Sequence, residues 1–163
     1  MDTFIKIGFE KDFVPVKKYS DDRYIVNFDK EALYKENDDQ VCSWKSFSYE
    51  ARNSKSILNN IYEIINNEIA RKIEYGFVWN GYAVHLDKEN QINYKSAFDL
   101  ALVAEESLPV TFRFYKNGKP VLYEFDNVNE LKDFVIKMNN HINNCLMEGW
   151  TKKDSINESD YKI

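Results

Sequence analysis

The side chains with the most reactive chemistry are few and widely spaced in this chain. It has two histidines, His85 and His141. A metal site needs several ligands that come together in register, and a lone histidine more often has a structural or surface role. His85 falls on a predicted strand and His141 on a predicted helix, so both are interpreted as structural. The sequence predicts no metal site and no cofactor.

The two cysteines, Cys42 and Cys145, are far apart and do not suggest a disulfide scaffold. Cys145 falls on the apolar stripe of the last predicted helix, which indicates a buried structural thiol. No local nucleophile signature surrounds Cys42. Neither cysteine is therefore predicted to be catalytic.

Acidic residues offer the remaining candidates for catalysis. Asp38-Asp39 and Glu105-Glu106 are adjacent acids that could act as acid and base, but such pairs are more often solvated surface. The segment 126–130 has the oxygen-rich composition of a calcium loop without its glycine and distal glutamate, so a helix cap is preferred. We predict no catalytic residues and no enzyme. A small hydrolase or nuclease using either histidine is an alternative that requires acids around that histidine, and the sequence shows no such cluster.

Length, charge and hydropathy exclude several classes of protein. A chain of 163 residues allows one domain, or one domain with a large appendage. The net charge of −5 argues against a nonspecific nucleic-acid binder. There is no apolar run near the length of a membrane span, and the first residues lack the apolar segment of a signal peptide. We therefore expect synthesis in a cytoplasm, with neither nucleic acid nor membrane as a partner.

Two Asn-Gly pairs predict tight turns, Asn80-Gly81 and Asn117-Gly118. Each separates two short runs of β-forming residues. Both central residues of a type I′ turn need positive φ, which Asn and Gly tolerate best. The sequence therefore predicts two antiparallel hairpins, with strands 77–79 and 82–84, and 110–115 and 120–125.

Apolar residues at spacings of three and four predict three helices. The first begins at Ser48 and stops at Gly76, which suits the left-handed position after a helix. The second is capped by Asp87 or Asn90 and runs to about residue 105. Its predicted apolar face consists of Ile92, Ser96, Leu100 and Val103, broadened by Phe98, Ala101 and Leu102.

The third helix follows the second hairpin. Asn127 and Glu130 form a variant of the capping box, and Gly149 is expected to end the helix. The order helix, hairpin, helix, hairpin, helix predicts antiparallel sheet and the α+β class. The predicted fold is α+β, with three helices, two antiparallel β-hairpins and a β-rich N-terminal segment.

The first 48 residues differ from the rest because they have short strands and no striped helix. Strands are predicted at Arg23–Phe28 and Val41–Tyr49, with one helical turn at Glu31–Lys35 between them. The segment has too few apolar residues to fold alone. We predict an N-terminal docking segment at 1–48, a self-folding α+β domain at 49–157 and a polar tail at 158–163.

Unpaired strand edges are templates for a strand from another chain. On that basis the apolar strand residues of the first segment are predicted interface anchors, or they pack on the first helix instead. Tryptophan is also enriched at the anchor positions of interfaces, although Trp79 is expected in the core. The interface candidates are Phe4, Ile7, Phe9, Tyr24, Val26, Phe28, Trp44 and Trp150.

Four spaced pieces of the sequence resemble a known set, in the same order. They are a "W-x-G" hairpin at 76–81, a polar helix entry at 90–95, a "P-V-T-F" strand at 108–112 and a terminal "G-W-x-K-K-D" at 148–154. Over about residues 50–157 the chain resembles a family of uncharacterised bacteriophage domains. These domains are found in tail-fibre and fibre-assembly proteins, and in phages and prophages of gut Bacteroides.

The resemblance implies a non-enzymatic structural or adaptor protein of a bacteriophage virion, in the tail, baseplate or fibre attachment. Its partners would be other phage structural proteins, with multiple copies in a symmetric assembly. It would be made in the bacterial host cytoplasm and retained in the virion. A cytoplasmic fibre-assembly chaperone, absent from the finished particle, is the alternative. The family supplies no catalytic residues.

Overall fold

The computed structural model describes residues 3–21, 23–50 and 53–163, with the side chain of Glu105 excepted. Within these residues there are three α-helices and two four-stranded antiparallel sheets, so the predicted α+β class is confirmed. The chain divides into two compact units. The first contains the chain up to Ile65 together with Thr151–Ile163, and the second contains Asn66–Trp150.

The sheet of the first unit has the strand order β1-β4-β3-β2. Its strands are β1 (Phe4–Phe9), β2 (Val16–Lys18), β3 (Arg23–Glu36) and β4 (Asp39–Glu50). The helical turn predicted at Glu31–Lys35 is wrong, because this stretch continues β3 and pairs with β4, from Glu31 opposite Ser43 to Lys35 opposite Gln40. The pairing with β4 decides the local structure there.

Helix α1 (Ser54–Tyr75) begins later than predicted, because β4 extends to Glu50. The buried apolar residues of the first unit include Val26, Phe28, Val41, Phe47, Ile57 and Ile61. They come from both sides of the predicted boundary at residue 48, which is therefore wrong. The first unit also has its own buried core, although the sequence suggested too few apolar residues for one.

The last residues of the chain belong to the first unit and do not form a polar tail. A 3₁₀ turn covers Glu158–Tyr161, and Tyr161 is only 5% exposed. Its hydroxyl donates a hydrogen bond to the carbonyl oxygen of Asn27 at 3.0 Å, and burial raises its pKa to about 12. The predicted boundary between residues 157 and 158 is wrong, because the buried ring of Tyr161 packs the otherwise polar last segment into the first unit.

The sheet of the second unit has the order β5-β6-β7-β8. Its strands are β5 (Phe77–Trp79), β6 (Tyr82–Val84), β7 (Val110–Lys116) and β8 (Lys119–Phe125). Helix α2 (Lys88–Val103) connects β6 to β7, and α3 (Val128–Asp154) follows β8. Both Asn-Gly pairs have positive φ, 50° and 79° in the first turn and 52° and 73° in the second, as predicted.

An aromatic cluster fills the core of the second unit. The ring of Phe134 lies 5.4 Å from those of Trp79 and Phe125 and 5.5 Å from that of Phe114, centroid to centroid. The indole Nε1 of Trp79 donates to Asp133 Oδ2 at 3.2 Å, which satisfies its one polar group. Trp79 is 1% exposed, so its predicted place in the core is confirmed.

Helix α2 turns a different face to the core from the one predicted. Tyr94 and Ala101 are buried, whereas Ile92, Leu100 and Val103 are 64%, 53% and 83% exposed. The Tyr94 ring packs edge-on against Phe112 at 4.7 Å and against Phe134 at 5.1 Å. Burial of this large ring, with its aromatic neighbours, decides the rotation of the helix. The prediction is wrong for Ile92, Leu100 and Val103, which lie on the surface, whereas Ala101 is buried and Phe98 packs against the core as predicted.

Two glycines that were predicted to end helices serve close packing. Gly76 follows α1 but lacks positive φ, and a Cβ there would collide with the carbonyl oxygen of Lys72. Gly149 lies inside α3, where a Cβ would come within 2.9 Å of Ile69 Cγ1 on α1. The predicted helix end at Gly149 is therefore wrong.

Candidate functional site

His85 lies between two carboxylates where α1 ends and α2 begins. Its Nε2 is 2.8 Å from Glu74 Oε1, and its Nδ1 is 3.5 Å from Asp87 Oδ2. Its ring stacks on that of Tyr75 at 4.8 Å. The Tyr75 hydroxyl has its own hydrogen bond to Glu74, which raises the pKa of the phenol. We call Glu74, Tyr75, His85 and Asp87 the His85 cluster. The cluster contradicts the expectation that no acids surround either histidine.

Backbone and side-chain hydrogen bonds explain why these residues converge. The Leu86 N–H donates to the carbonyl of Glu74 at 2.9 Å, so the chain after β6 runs beside the end of α1. Asp87 caps α2 as predicted, because its Oδ1 accepts from the Asn90 N–H at 2.7 Å. Gln91 Nε2 donates to the carbonyl of Leu86 at 2.7 Å. The cluster thus joins three elements of the second unit.

The arrangement fits a structural role better than catalysis. Each ring nitrogen of His85 faces a carboxylate, so neither is directed at a substrate. Asp87 is also engaged by the first turn of α2. Among the described residues, no group of three or more His, Cys, Asp or Glu side chains is placed to hold a metal ion.

One local signal for this cluster is present in the sequence. Asp87 is two residues beyond His85, so the pair was visible, but Glu74 comes close only because the chain reverses through the first hairpin. That contact could be anticipated from the Asn80-Gly81 turn together with the end of α1 at Tyr75.

Two grooves of the second unit border the cluster. One, of about 370 Å³, is lined by His85, Tyr75, Ala83 and Tyr115 among others. The other, of about 610 Å³, lies on the α2 side and is lined by apolar and polar side chains, Glu74 and Asp87 among them. Neither brings a hydroxyl or thiol nucleophile of serine, threonine or cysteine to His85, since the lining residues include none of these.

His141 and Cys145 are packing residues, as predicted. His141 Nε2 is 3.1 Å from the carbonyl oxygen of Lys72 and 3.8 Å from the Sγ of Cys145. Cys145 is 7% exposed, and burial raises the pKa of its thiol, which disfavours the nucleophilic thiolate. Cys42 is 1% exposed in the first unit.

The acidic candidates have surface or capping roles. Asp39 pairs with Lys11 at 2.7 Å on the surface, and Asp38 occupies the β3–β4 turn with φ 68°. The Glu105 side chain lies outside the described residues. Asn127 Oδ1 accepts from the Glu130 N–H at 2.9 Å, which confirms one half of the capping box. The other half is absent because Glu130 Oε1 accepts from the Tyr123 hydroxyl at 2.6 Å, and this bond raises the pKa of Tyr123 to about 12.

The apolar edge of the first sheet is the most exposed of the predicted interface regions. Strand β1 pairs with β4 on one side and has no strand on its other side among the described residues. Phe4, Ile5 and Ile7 are 63%, 75% and 67% exposed. Ile5 was not among the predicted anchors, although it belongs to the same apolar run. We call these three residues and their strand the β1 edge.

At the opposite edge of the same sheet, strand β2 covers β3 over Tyr24–Val26. Strand β2 has three residues, follows Pro15 and presents the exposed Lys17 and Lys18. Short length, proline and lysine are the usual means of preventing strand addition at an edge. The β1 edge has none of these features over Phe4–Phe9 except Lys6.

The structure divides the predicted interface anchors. Phe4 and Ile7 are exposed, Trp150 is 58% exposed within α3, and Phe9 and Tyr24 are half-buried. The assignment is wrong for the remaining three, Val26, Phe28 and Trp44, which are 0%, 0% and 6% exposed and have almost no surface for a partner.

Trp44 is buried against Phe13 and the adjacent strand β1. Its ring packs edge-on against Phe13 at 5.7 Å. A Cβ at Gly8 would come within 2.8 Å of Trp44 Cη2, so the glycine in β1 leaves room for the indole.

No helix among the described residues is long and apolar enough to span a membrane. Comparisons with protein-family models, with curated proteins and with solved structures found no match to this chain.

Proposed function

We propose that this chain is a non-enzymatic structural or adaptor protein, and that it joins a multi-copy assembly through the β1 edge. The observation that carries the proposal is the contrast between the two edges of the first sheet. One edge has three exposed apolar side chains on a strand whose outer side has no partner strand in the described part of the chain, and the other has proline and lysines. An exposed apolar edge strand can pair with a strand of another chain, and proteins normally have features that prevent this pairing.

The β1 edge fits an extended apolar segment of another protein. Strand addition takes its affinity from main-chain hydrogen bonds and its specificity from alternate side chains. Ile5 and Ile7 lie on one face of the strand and Phe4 on the other, because successive side chains alternate. An added strand would therefore contact apolar side chains on both faces.

The resemblance to phage domains makes a virion the proposed setting, in the tail, baseplate or fibre attachment. The partners would be other phage structural proteins, the chain would be made in the host cytoplasm, and neither nucleic acid nor membrane would be bound. Mass spectrometry of purified particles should detect the chain in many copies. Abundance in infected cells with absence from particles would support the assembly chaperone instead.

Substitution of two β1-edge residues by lysine tests whether this edge binds the partner. The variant Ile5→Lys with Ile7→Lys should fold normally, because both side chains are mostly exposed, but should be lost from particles. Leu33→Lys is the matched control, since Leu33 is an exposed apolar residue of the same sheet, on β3. Normal incorporation of the double variant would rule out docking at this edge.

A small hydrolase is the second candidate, because the His85 cluster provides the acids that this alternative requires. Purified protein should be assayed against ester, phosphoester and nucleic-acid substrates, with His85→Gln as the comparison. Turnover by the natural chain that is lost in His85→Gln would replace the adaptor proposal with an enzyme. We expect no turnover, because both ring nitrogens face carboxylates.

A further inference from the structure

We infer that the outer face of α2 pairs with the same face of a second copy of this chain, in antiparallel orientation. This face consists of Ile92, Ser96, Leu100 and Val103, and its three apolar side chains are 64%, 53% and 83% exposed. It lies away from the buried Tyr94 and Ala101. The inference deepens the multi-copy part of the proposed function and makes no use of the β1 edge.

The positions of the four residues form a continuous stripe along the helix. At about 100° per residue, Ile92, Ser96 and Val103 fall within about 40° of one another, and Leu100 lies beside them. Tyr94 and Ala101 are on the opposite side of the helix by the same geometry. An apolar stripe of this width, opposite the core, is the pattern of a helix that packs on both sides.

The charged residues beside the stripe favour a second copy of this chain as the partner and favour an antiparallel orientation of the two helices. Lys95 and Asp99 border the stripe on one flank, and within the chain they pair at 2.6 Å while both remain exposed. In an antiparallel pair related by a twofold axis at Ala97, Lys95 of each copy lies level with Asp99 of the other, on the same flank. In a parallel pair this flank would face the opposite flank of the other copy, so Lys95 of one copy would not meet Asp99 of the other.

The same axis also aligns the apolar residues. Ile92 of one copy lies within one residue of Val103 of the other, a difference in height of about 1.5 Å. Ser96 lies near the centre, where a small side chain lets two helices approach closely. The stripe is therefore self-complementary in both shape and charge when two copies run in opposite directions.

Sedimentation equilibrium of the full chain over a range of micromolar concentrations tests the pairing. We expect a reversible dimer, with Val103→Glu raising its dissociation constant at least about tenfold. Leu122→Glu is the matched control, because Leu122 is an exposed apolar residue of β8 in the same unit, and this variant should dimerise normally. Far-UV circular dichroism should be unchanged in both.

A charge exchange distinguishes pairing between copies from pairing within one chain. Lys95→Glu and Asp99→Lys each place like charges together and should each be monomeric. An equimolar mixture should recover a heterodimer, because the acidic flank of one variant faces the basic flank of the other. If the variants lost dimerisation only because the Lys95–Asp99 pair within each chain is broken, mixing them would not restore it.

Two results would overturn the inference. One is a natural chain that is monomeric at every concentration, which would leave the α2 face to a different protein or to none. The other is a mixture that stays monomeric. The variant Ile5→Lys with Ile7→Lys should still dimerise, so failure of this inference and failure of docking at the β1 edge are separate outcomes.

Discussion

The sheets β1–β4 and β5–β8 each have four antiparallel strands, but different contacts stabilise their units. In the second unit, Trp79, Phe114, Phe125 and Phe134 pack ring against ring. In the first, Asp29 on β3 accepts from Lys45 at 2.8 Å and from Lys152 at 2.9 Å. Aromatic burial tolerates small shifts, whereas an ion cluster requires defined geometry.

The first unit also retains polar groups that its fold does not satisfy. Asn27 Nδ2 donates to the carbonyl of Val14 at 2.6 Å, but Asn27 Oδ1 and Trp44 Nε1 are buried without a partner. Each such group costs about 1–3 kcal/mol relative to a satisfied one. We therefore expect the first unit to open more readily than the second, and the predictions below test this difference.

The largest expected effect is the loss of a central ring. Phe134→Ala should lower the free energy of unfolding by about 3–5 kcal/mol, since the ring is fully buried and contacts several others. Phe28→Ala in the first unit should have a smaller effect, because Phe28 makes a ring contact with Phe47 alone among the described residues. Urea denaturation measures both. The reverse order would show that the aromatic cluster is not the more strongly packed core.

The ion cluster should give the next largest effect. Asp29→Asn should destabilise by about 2–4 kcal/mol, because two partly buried lysines lose their shared carboxylate. Asparagine tolerates the φ of 55° found at this position, so backbone strain does not contribute. Asp133→Asn in the second unit is the control, and should have less effect because Asp133 and Lys137 are exposed.

The pH dependence of Asp29→Asn follows from the direction of the pKa shift. Burial alone would raise the pKa of Asp29, but the hydrogen bonds and the charge attraction from Lys45 and Lys152 together outweigh burial and lower it. A carboxyl with a lowered pKa stabilises the fold above its unfolded pKa, and this contribution is lost as the pH falls through its folded pKa. The difference between the natural chain and the variant should therefore be constant near neutral pH and shrink in strong acid.

Features fixed by neighbouring residues were predictable from the sequence. The two Asn-Gly hairpins and the Asp87 cap depend on φ preferences and hydrogen bonds within a few positions. The prediction of a helical turn at Glu31–Lys35 was wrong because β4 supplies hydrogen-bond partners to this stretch across a turn. The prediction of the core-facing side of α2 was wrong because it relied on the spacing of aliphatic residues and ignored the ring of Tyr94.

The other features that the sequence did not predict depend on contacts between residues that are distant in the chain. Asp29 and Lys152 are separated by 123 positions, so nothing local connects the end of the chain with the first sheet. The same is true of Gly149 and Ile69, where only the packing of two helices gives the glycine its role. The His85 cluster is partly local: Asp87 is two residues from His85 in the sequence, whereas Glu74 comes close only through the first hairpin.

The hairpin of the second unit should be sensitive to backbone strain. Gly81→Val should destabilise by about 1–3 kcal/mol, because a β-branched residue resists the φ of 79° at this position. No atom lies within 4 Å of a Cβ there, so a steric clash cannot explain the effect. Gly118→Val, at φ 73°, should lose a similar amount. A thermal melt unchanged by either variant would show that the turn can relax without cost.

The β3–β4 turn offers the smallest and most direct contrast between the units. Its central residues, Asn37 and Asp38, have φ of 49° and 68°, so it adopts without glycine the conformation that Gly81 provides in the second unit. Asp38→Gly should stabilise by about 0.5 kcal/mol, since glycine removes the strain but increases the freedom of the unfolded chain. The reciprocal Gly81→Asp should destabilise by a similar amount, and both changes can be measured as shifts of the urea midpoint. If Asp38→Gly instead lowers the midpoint, the Asp38 side chain contributes a favourable interaction that exceeds the strain, and the first sheet is stabilised by polar contacts even at its turn.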